Sequence, residues 1–403
     1  MLNTSLEPWP SFTPEEADAA SRVLLSNRVN YWTGEECRAF ERQFADWTGA
    51  DHAVALANGT VALDVALRAL GVGPGDEVVV TPRTFLASIS CVVNCGAVPV
   101  FADVDLDSGN ITAASIAAVA TARTRAVIVV HLGGWPCDMD PIMKLAHNRG
   151  FAVIEDCAQA HGALYNGRSV GTIGDIGAWS FCQDKIMTTG GEGGMVTTND
   201  PALWGRMWSF KDHGKDYDAV YHHEHPPGHR WVHHSFGTNW RMTEMQAAIG
   251  LIQLRRMAEW TAARERHAAR ILDALARSGS GLIRAPMPAD QDSRHALYKL
   301  YCYVREDRLA SGWTRDRIVA EINARGVPCY QGSCSEVYLE PAFDNTPYRP
   351  TQRLPGARQL GETSLMFLVH PTLSDTSIDR VIVALDEVLR AAALVRSTIE
   401  PAS

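Results

Sequence analysis

Short apolar runs alternate with helical segments over the first 200 residues of this chain, and this alternation constrains the fold more than any other feature. The apolar runs that are typical of buried strands occupy residues 53–57, 77–81, 98–102, 125–131, 151–155 and 176–181. Buried strands separated by helices indicate a mainly parallel sheet with helices on both faces. The predicted fold class is therefore α/β.

The second half of the chain has a different pattern. Continuous helical periodicity over residues 243–277 predicts one long connecting helix, and the turn-rich residues 278–281 follow it. A strand-like run at 296–304 and helical segments at 314–325 and 375–393 come next. We expect a large domain over residues 1–277 and a smaller C-terminal α/β domain over residues 278–403, which agrees with the length of 403 residues.

Composition excludes several classes of protein. The 37 Lys and Arg against 46 Asp and Glu give a net charge of −9, which argues against a nucleic-acid-binding protein. The nine cysteines are scattered without a C-x-x-C pair, which argues against a disulfide framework or a structural zinc site. We see neither a signal peptide nor an apolar run long enough for a membrane span. We expect a cytoplasmic enzyme with no membrane or nucleic-acid partner.

Lys185 is the most informative single residue. It follows a predicted strand and enters a loop that contains Gly190, Gly191, Gly193 and Gly194. Glycines let backbone approach a bulky ligand closely, and a lysine held there can form a Schiff base with an aldehyde cofactor such as pyridoxal phosphate. A solvated surface lysine beside a flexible turn explains this segment about equally well.

Three further segments are ambiguous when taken singly. Asn58-Gly59-Thr60 precedes a predicted helix, where a phosphate would be stabilised, but an ordinary helix cap has the same pattern. Asp156 can pair with a pyridine nitrogen or cap the next helix, and Phe85 can stack on a flat ring or lie in the core. All these segments follow strands of one predicted sheet, where ligands of such sheets bind. Together they supply what pyridoxal phosphate needs.

Several stretches, in order along the chain, resemble the sugar-nucleotide aminotransferases of the DegT/StrS type, a family of fold-type I pyridoxal-phosphate enzymes. The matching stretches are residues 58–60, 71–84, 155–162, 180–185, 190–200, 237–251 and 368–375. The resemblance covers nearly the whole chain. It implies the PLP-dependent transferase fold type I, with a mixed, mainly parallel sheet in the large domain.

The resemblance also implies roles for residues around the cofactor ring. Lys185 would form the Schiff base and shuttle the proton, and Asp156 would pair with the pyridine nitrogen. Gln159 would lie near the phenolic oxygen, and Phe85 would stack on the ring. Lys185 and Asp156 are the two catalytic residues in this assignment.

The phosphate end of the cofactor is assigned in the same way. The resemblance implies that Gly59, Thr60 and Ser180 bind the phosphate. Asn239 would reach the phosphate in the neighbouring subunit, so that a homodimer with shared active sites is expected.

The implied reaction has two halves. An amino acid, expected to be L-glutamate, gives its amine to the cofactor, and a keto group on a nucleotide-linked sugar then receives it. Some relatives remove a sugar hydroxyl instead and carry histidine at the position of Lys185, so the lysine favours transamination, although a dehydratase or deaminase variant stays an alternative. A regulatory relative without catalysis is disfavoured because Lys185, Asp156 and Ser180 are all present.

Residues 221–234 contain six of the 14 histidines. Their spacing matches no metal motif, so we expect no metal and predict a mobile loop near the mouth of the active site. Residues 331–338 depart from the family pattern and leave the identity of the sugar open. The nucleotide and the pathway also stay open, between cell-surface polysaccharide such as lipopolysaccharide and antibiotic sugars.

Overall fold

The structure is a computed structural model that describes residues 6–278, 281–288 and 292–394. Its α-helices are α1 (Pro14–Ser26), α2 (Glu36–Thr48), α3 (Gly59–Ala69), α4 (Ala87–Asn94), α5 (Ala113–Val119), α6 (Met139–Arg149), α7 (Pro201–Lys211), α8 (Tyr217–Tyr221), α9 (Glu244–Arg277), α10 (Arg315–Ala324), α11 (Pro355–Thr363) and α12 (Asp375–Ala392). Its strands are β1 (His52–Leu56), β2 (Glu77–Val80), β3 (Val98–Phe101), β4 (Thr124–Val130), β5 (Ala152–Asp156), β6 (Leu164–Tyr165), β7 (Arg168–Ser169), β8 (Ile176–Ser180), β9 (Gly194–Thr198), β10 (Ile283–Arg284), β11 (Leu300–Val304), β12 (Cys329–Tyr330) and β13 (Ser364–Phe367). A helix separates each pair of successive strands from β1 to β5, as the alternation predicts.

The larger sheet has the strand order β1-β9-β8-β5-β4-β2-β3. Strands β3, β2, β4, β5 and β8 pair in parallel, while β9 runs antiparallel to both β8 and β1. The parallel pairs follow from the helices between the strands, because a parallel connection must cross back over the sheet. The predicted mixed, mainly parallel sheet is confirmed.

Both faces of this sheet are buried. Val79 belongs to an apolar cluster with Phe40 of α2 and Trp260 of α9, whereas its neighbour Val78 belongs to a second cluster with Leu63 of α3. Successive residues of a strand point to opposite faces, so a continuous apolar run is needed when helices cover both sides. This requirement explains why the strand sequences are apolar throughout.

A second sheet of the described residues lies in the C-terminal third of the chain, with the antiparallel order β10-β11-β13-β12. Helices α10 and α12 pack on it around a third apolar cluster that includes Ile318 and Ile378. The long helix α9 begins after Thr243, whose side chain accepts a hydrogen bond from the N–H of Gln246. The domain boundary at residue 277 stays a prediction, and Gly279 and Ser280 beside it lie outside the described residues.

Two elements differ from the sequence prediction. Residues 211–238 are polar and turn-rich in sequence, which predicts a long loop, but the segment contains the short helix α8, which Asp216 caps by accepting a hydrogen bond from the N–H of Ala219. The strand expected at 296–304 begins only at Leu300, because Leu297 has a φ of +51°, a left-handed conformation that a strand cannot contain. Among the described helices, none combines the length and apolar character needed to cross a membrane.

Candidate active site

The carboxyl ends of β1, β2, β5 and β8 lie at one edge of the large sheet, because these strands run in the same direction. A cavity of about 490 Å³ opens at this edge. Seven of the eight residues singled out from the sequence line it: Gly59, Thr60, Phe85, Asp156, Gln159, Ser180 and Lys185. The sheet topology therefore brings together side chains that are up to 126 residues apart in the chain, as between Gly59 and Lys185.

One end of the cavity is formed by the start of α3. Asn58 precedes this helix, and its side chain accepts a hydrogen bond from the N–H of Val61 at 3.0 Å. Gly59 packs so closely on β8 that a Cβ atom there would lie 2.5 Å from the Cβ of Ser180. The first N–H groups of a helix have no partner within the helix, so this end of the cavity offers donors and a partial positive charge to an anion.

Asp156 ends β5 and is 6% exposed. Its carboxylate accepts hydrogen bonds from the Ser88 hydroxyl at 2.8 Å and from the N–H of Ala158 at 3.1 Å. Burial raises the pKa of Asp156, while these two donors and the Lys185 ammonium lower it. No helix follows Asp156 among the neighbouring described residues, so the alternative that it caps a helix is wrong.

The residues next to Asp156 hold the end of β5 in place. Glu155 is fully buried and accepts hydrogen bonds from His131 at 2.9 Å and from the N–H groups of Gly171 at 2.9 Å and Gly174 at 2.6 Å. His131, Glu155 and Cys157 are close enough to suggest a metal site. The Glu155 oxygens already accept these hydrogen bonds, however, so the group is better explained as an internal support of the strand.

Lys185 reaches the same cavity from the segment after β8. Its side chain is 18% exposed, and its ammonium lies 3.7 Å from Asp184 and 5.3 Å from the ring centroid of Tyr298. The indole N–H of Trp9 donates to the backbone oxygen of Lys185 at 2.8 Å. Lys185 is therefore a held, mostly buried side chain, and the alternative of a solvated surface lysine is wrong.

The glycines after Lys185 serve packing more than ligand access. A Cβ at Gly194 would overlap the backbone of Asn58, and a Cβ at Gly193 would overlap the hydroxyl of Thr189. Gly191 has a φ of +120°, which side-chain-bearing residues rarely adopt. These glycines allow β9 to lie against the segment that leads into α3, and they hold that end of the cavity in shape.

Phe85 is 72% exposed at the rim of the cavity, so the alternative of a core aromatic is wrong. Gln159 is 8% exposed, and its side-chain oxygen accepts a hydrogen bond from the N–H of Gly133 at 2.7 Å. The Thr84 hydroxyl lies 2.9 Å from that of Ser88, which in turn donates to Asp156. The loop after β2 thus connects the rim to the buried carboxylate.

A second cavity of about 270 Å³ adjoins the first and shares Phe85, Gln159 and Lys185 with it. Its opposite wall comes from the C-terminal region, with Tyr298, Lys299, Tyr301, Ser333 and Cys334. The Tyr298 hydroxyl donates to Asp184 at 2.5 Å, which connects this wall to the lysine segment. Ser333 and Cys334 belong to residues 331–338, the segment that the sequence links to the identity of the sugar. Sequence reasoning missed Tyr298, Lys299 and Tyr301, because they follow no motif and only the packing of the two sheets brings them to the site.

Asn239 does not line its own chain's cavity. It is exposed and forms a β-bridge with Asp212. Two aromatic side chains that precede it are exposed: Trp231, in the histidine-rich loop, at 82%, and Phe236, after that loop, at 101%. The histidines of the loop make local contacts, such as His222 with Asp218 at 2.9 Å. The single chain therefore leaves this segment facing outward.

Comparisons with known proteins agree over nearly the whole chain. The model of the DegT/DnrJ/EryC1/StrS aminotransferase family matches residues 10–386. A GDP-perosamine synthase of Caulobacter vibrioides is 41% identical over 352 residues, which cover 87% of this chain and 89% of the relative. A dTDP-3-amino-3,4,6-trideoxy-alpha-D-glucose transaminase of Streptomyces venezuelae is 36% identical over 373 residues, which cover 92% of each chain. The X-ray structure of the aminotransferase from Psychrobacter cryohalolentis is 64% identical, has a TM-score of 0.95, and covers 96% of this chain and 99% of its own.

Proposed function

The chain belongs to the DegT/DnrJ/EryC1/StrS aminotransferase family and is an aminotransferase of nucleotide-linked sugars, and we propose that its cofactor is pyridoxal phosphate and its amino donor L-glutamate. The observation that carries the proposal is the single cavity in which Lys185 and the buried carboxylate of Asp156 lie together. The acceptor is the keto group of a nucleotide-linked sugar. The fold is the α/β fold of the pyridoxal-phosphate-dependent aminotransferases that it resembles.

The donor set of the cavity fits pyridoxal phosphate. The start of α3, with Gly59, Thr60 and the hydroxyl of Ser180, would hold the phosphate. Asp156 would hold the ring nitrogen, which explains a carboxylate in a place where burial disfavours its charge. Phe85 would cover one face of the ring, and a flat ligand accounts for an aromatic side chain left 72% exposed at a cavity rim.

When bound, pyridoxal phosphate supplies an electron-withdrawing ring that stabilises negative charge on the carbon next to the transferred amine. Asp156 would keep the ring nitrogen protonated, and the Ser88 hydroxyl would hold that carboxylate in its orientation. Gln159 would lie near the phenolic oxygen, with its own side chain fixed by the N–H of Gly133. These residues would thereby fix the ring before a substrate arrives.

Lys185 would move the proton. Its Nζ, when neutral, can take the proton from the amine-bearing carbon of the donor. The same nitrogen can then deliver the proton to the cofactor carbon that receives the amine. Lys185 lines both cavities, so one amine can serve substrate and cofactor without a large movement. Asp184, at 3.7 Å, would stabilise the ammonium while the proton is held.

The function can be tested in two steps with purified protein loaded with pyridoxal phosphate. L-Glutamate should shift the visible absorbance band of the bound cofactor and yield 2-oxoglutarate. The amine-loaded enzyme should then aminate one member of a panel of keto-sugar nucleotides, and mass spectrometry would detect the aminated sugar. Removal of a hydroxyl without amine transfer would instead favour the dehydratase or deaminase alternative. A protein that binds no pyridoxal phosphate would overturn the proposed cofactor.

Gly59→Ala is expected to weaken binding of pyridoxal phosphate by about tenfold to a hundredfold. The added Cβ would meet the Cβ of Ser180 at 2.5 Å, so the start of α3 must move away from β8, at an overpacking cost of about 1–3 kcal/mol. Equilibrium dialysis measures the loss. In a Ser180→Gly background the obstructing Cβ is absent, so the same Gly59→Ala change should cost clearly less. Equal losses in both backgrounds would contradict the steric explanation.

The proposal includes a homodimer. Asn239 is exposed, outside its own cavity, and it follows the exposed Trp231 and Phe236, which is the arrangement expected of a segment that crosses to a second copy. Sedimentation equilibrium should give twice the chain mass of 44.1 kDa. Asn239→Ala should weaken cofactor binding without changing the dimer. A monomer with full activity would contradict the shared site.

A further inference from the structure

Lys299 is a nearly buried cation beside the proposed reaction centre. It immediately precedes β11, is 7% exposed, and lines the 270 Å³ cavity together with Lys185. Its ammonium lies 4.7 Å from the ring centroid of Tyr298, and the ammonium of Lys185 lies 5.3 Å from the same centroid. The two amines therefore lie around one phenol ring.

The charge of Lys299 is not matched by an ion pair. Among the described residues, no carboxylate lies within 4.0 Å of its ammonium, and Asp184, the acidic residue of this cavity, is engaged by Lys185 at 3.7 Å and by the Tyr298 hydroxyl at 2.5 Å. Taking a cation out of water is costly unless a counter-charge or hydrogen bonds compensate for it. An anion that enters the cavity would supply the missing counter-charge.

The surroundings of Lys299 are otherwise positive or neutral. Burial lowers the pKa of Lys299 to about 8, Asp184 raises it, and Arg264 and Lys185 lower it further. Arg264 is also buried, and burial lowers the pKa of His370 to about 3, so this histidine is neutral. At neutral pH most Lys299 side chains therefore carry a charge, and His370 does not contribute one.

We propose that Lys299 binds the α-carboxylate of the amino-acid donor. The inference rests on the proposed function, because it places the donor amine at Lys185. In an α-amino acid, three covalent bonds join the amine nitrogen to a carboxylate oxygen. A donor whose amine is at Lys185 therefore carries its carboxylate charge close to Lys185, in the cavity that Lys299 also lines. A keto sugar need carry no such charge at its reacting carbon, since its constant negative charge is on the diphosphate. Lys299 would thus select the donor in an active site that must accept two different substrates.

The main test compares the two half-reactions in Lys299→Met. Loss of a charged hydrogen bond should lower kcat/KM for L-glutamate by about 30- to 100-fold, chiefly through KM. Amine transfer from the amine-loaded enzyme to the keto-sugar nucleotide should change less than about threefold. Lys299→Arg keeps the charge and should recover part of the loss. Lys144→Met, an exposed lysine of α6, is the matched control and should behave as wild type. Equal losses in both half-reactions, or no loss in the first, would overturn the proposal.

Binding of glutarate gives a second readout that needs no turnover. Glutarate has the two carboxylates of glutamate without the amine, and calorimetry should show its Kd to be at least about tenfold higher in Lys299→Met than in the wild type. Affinity in the wild type should fall as the pH rises through about 8, where free Lys299 loses its proton. In Lys299→Arg it should stay constant over that range, because arginine remains charged.

The outcomes separate this inference from the proposed function. A wild-type protein that reacts with no amino acid contradicts the proposed donor itself. A wild type that reacts with L-glutamate, together with a Lys299→Met variant that binds glutarate equally well, contradicts only the role of Lys299. If Lys299→Met does not fold, the pH dependence of glutarate affinity in the wild type and in Lys299→Arg still tests the role of Lys299.

Discussion

A Lys185→Ala protein is expected to transfer amino groups about 10³ to 10⁴ times more slowly than the wild type. Lys185 is the lysine that lines both cavities, so removal of its amine leaves no group at that place to accept the proton from the donor carbon. The change should appear in kcat for both half-reactions, since one proton shuttle serves both. Stopped-flow absorbance of the bound cofactor, recorded after mixing with L-glutamate, measures it.

Two controls separate loss of the amine from loss of the fold. Lys144→Ala removes an exposed lysine of α6 and should leave both half-reactions unchanged. Methylamine added to Lys185→Ala should restore part of the rate, because it supplies a free amine to the emptied space. A Lys185→Ala protein with a normal rate would refute the assigned role, and an unfolded one would show in circular dichroism.

Asp156→Asn is expected to lower kcat by about a hundredfold or more while leaving the fold intact. Asparagine has nearly the same shape, its side-chain oxygen can still accept from the N–H of Ala158, and its NH2 group can donate to the Ser88 hydroxyl, but it cannot stabilise a protonated ring nitrogen. Burial raises the pKa of Asp156, which means that its ionised form is disfavoured in the folded protein. Removal of that charge should therefore leave the melting temperature of the cofactor-free protein unchanged or higher at pH 7.

The combination of slower catalysis with undiminished stability distinguishes an electrostatic role from a structural one. A Ser88→Ala variant is the matched comparison, because it leaves the carboxylate in place and removes one of its two hydrogen-bond donors. Its activity should fall less than that of Asp156→Asn. If Asp156→Asn kept full activity but melted at a lower temperature, Asp156 would be a structural residue.

The sequence predicted the part of the site that follows the parallel strands. Gly59, Phe85, Asp156 and Lys185 each come soon after an apolar run, and the ends of parallel strands necessarily meet at one edge. Ser88 could not be predicted in this way, because it lies on α4, and whether a helical side chain faces the cavity depends on how that helix is rotated.

The other wall was beyond sequence reasoning for a different reason. Tyr298 and Lys299 reach the site because the segment before β11 packs against the loop after β4, where the N–H of Tyr298 donates to the Gly133 oxygen at 2.9 Å. Such a contact depends on how two sheets pack, and no local pattern encodes it. The glycines near Lys185 show the reverse case. The sequence pattern predicts that these glycines make room for a ligand, but a Cβ at Gly194 would overlap the backbone of Asn58, so this glycine is required mainly for packing.

The segment that carries Lys185 is held by hydrogen bonds from distant parts of the chain. Trp9 lies 176 residues before Lys185, and Tyr298 lies 114 residues after Asp184, yet each donates a hydrogen bond to this short stretch. During synthesis, the cofactor edge of the large sheet can form well before residue 298 has left the ribosome, but the lysine segment cannot yet be held in its final position. The lysine segment therefore takes its final position only after residue 298, about three quarters of the way along the chain, has been made and has folded onto it.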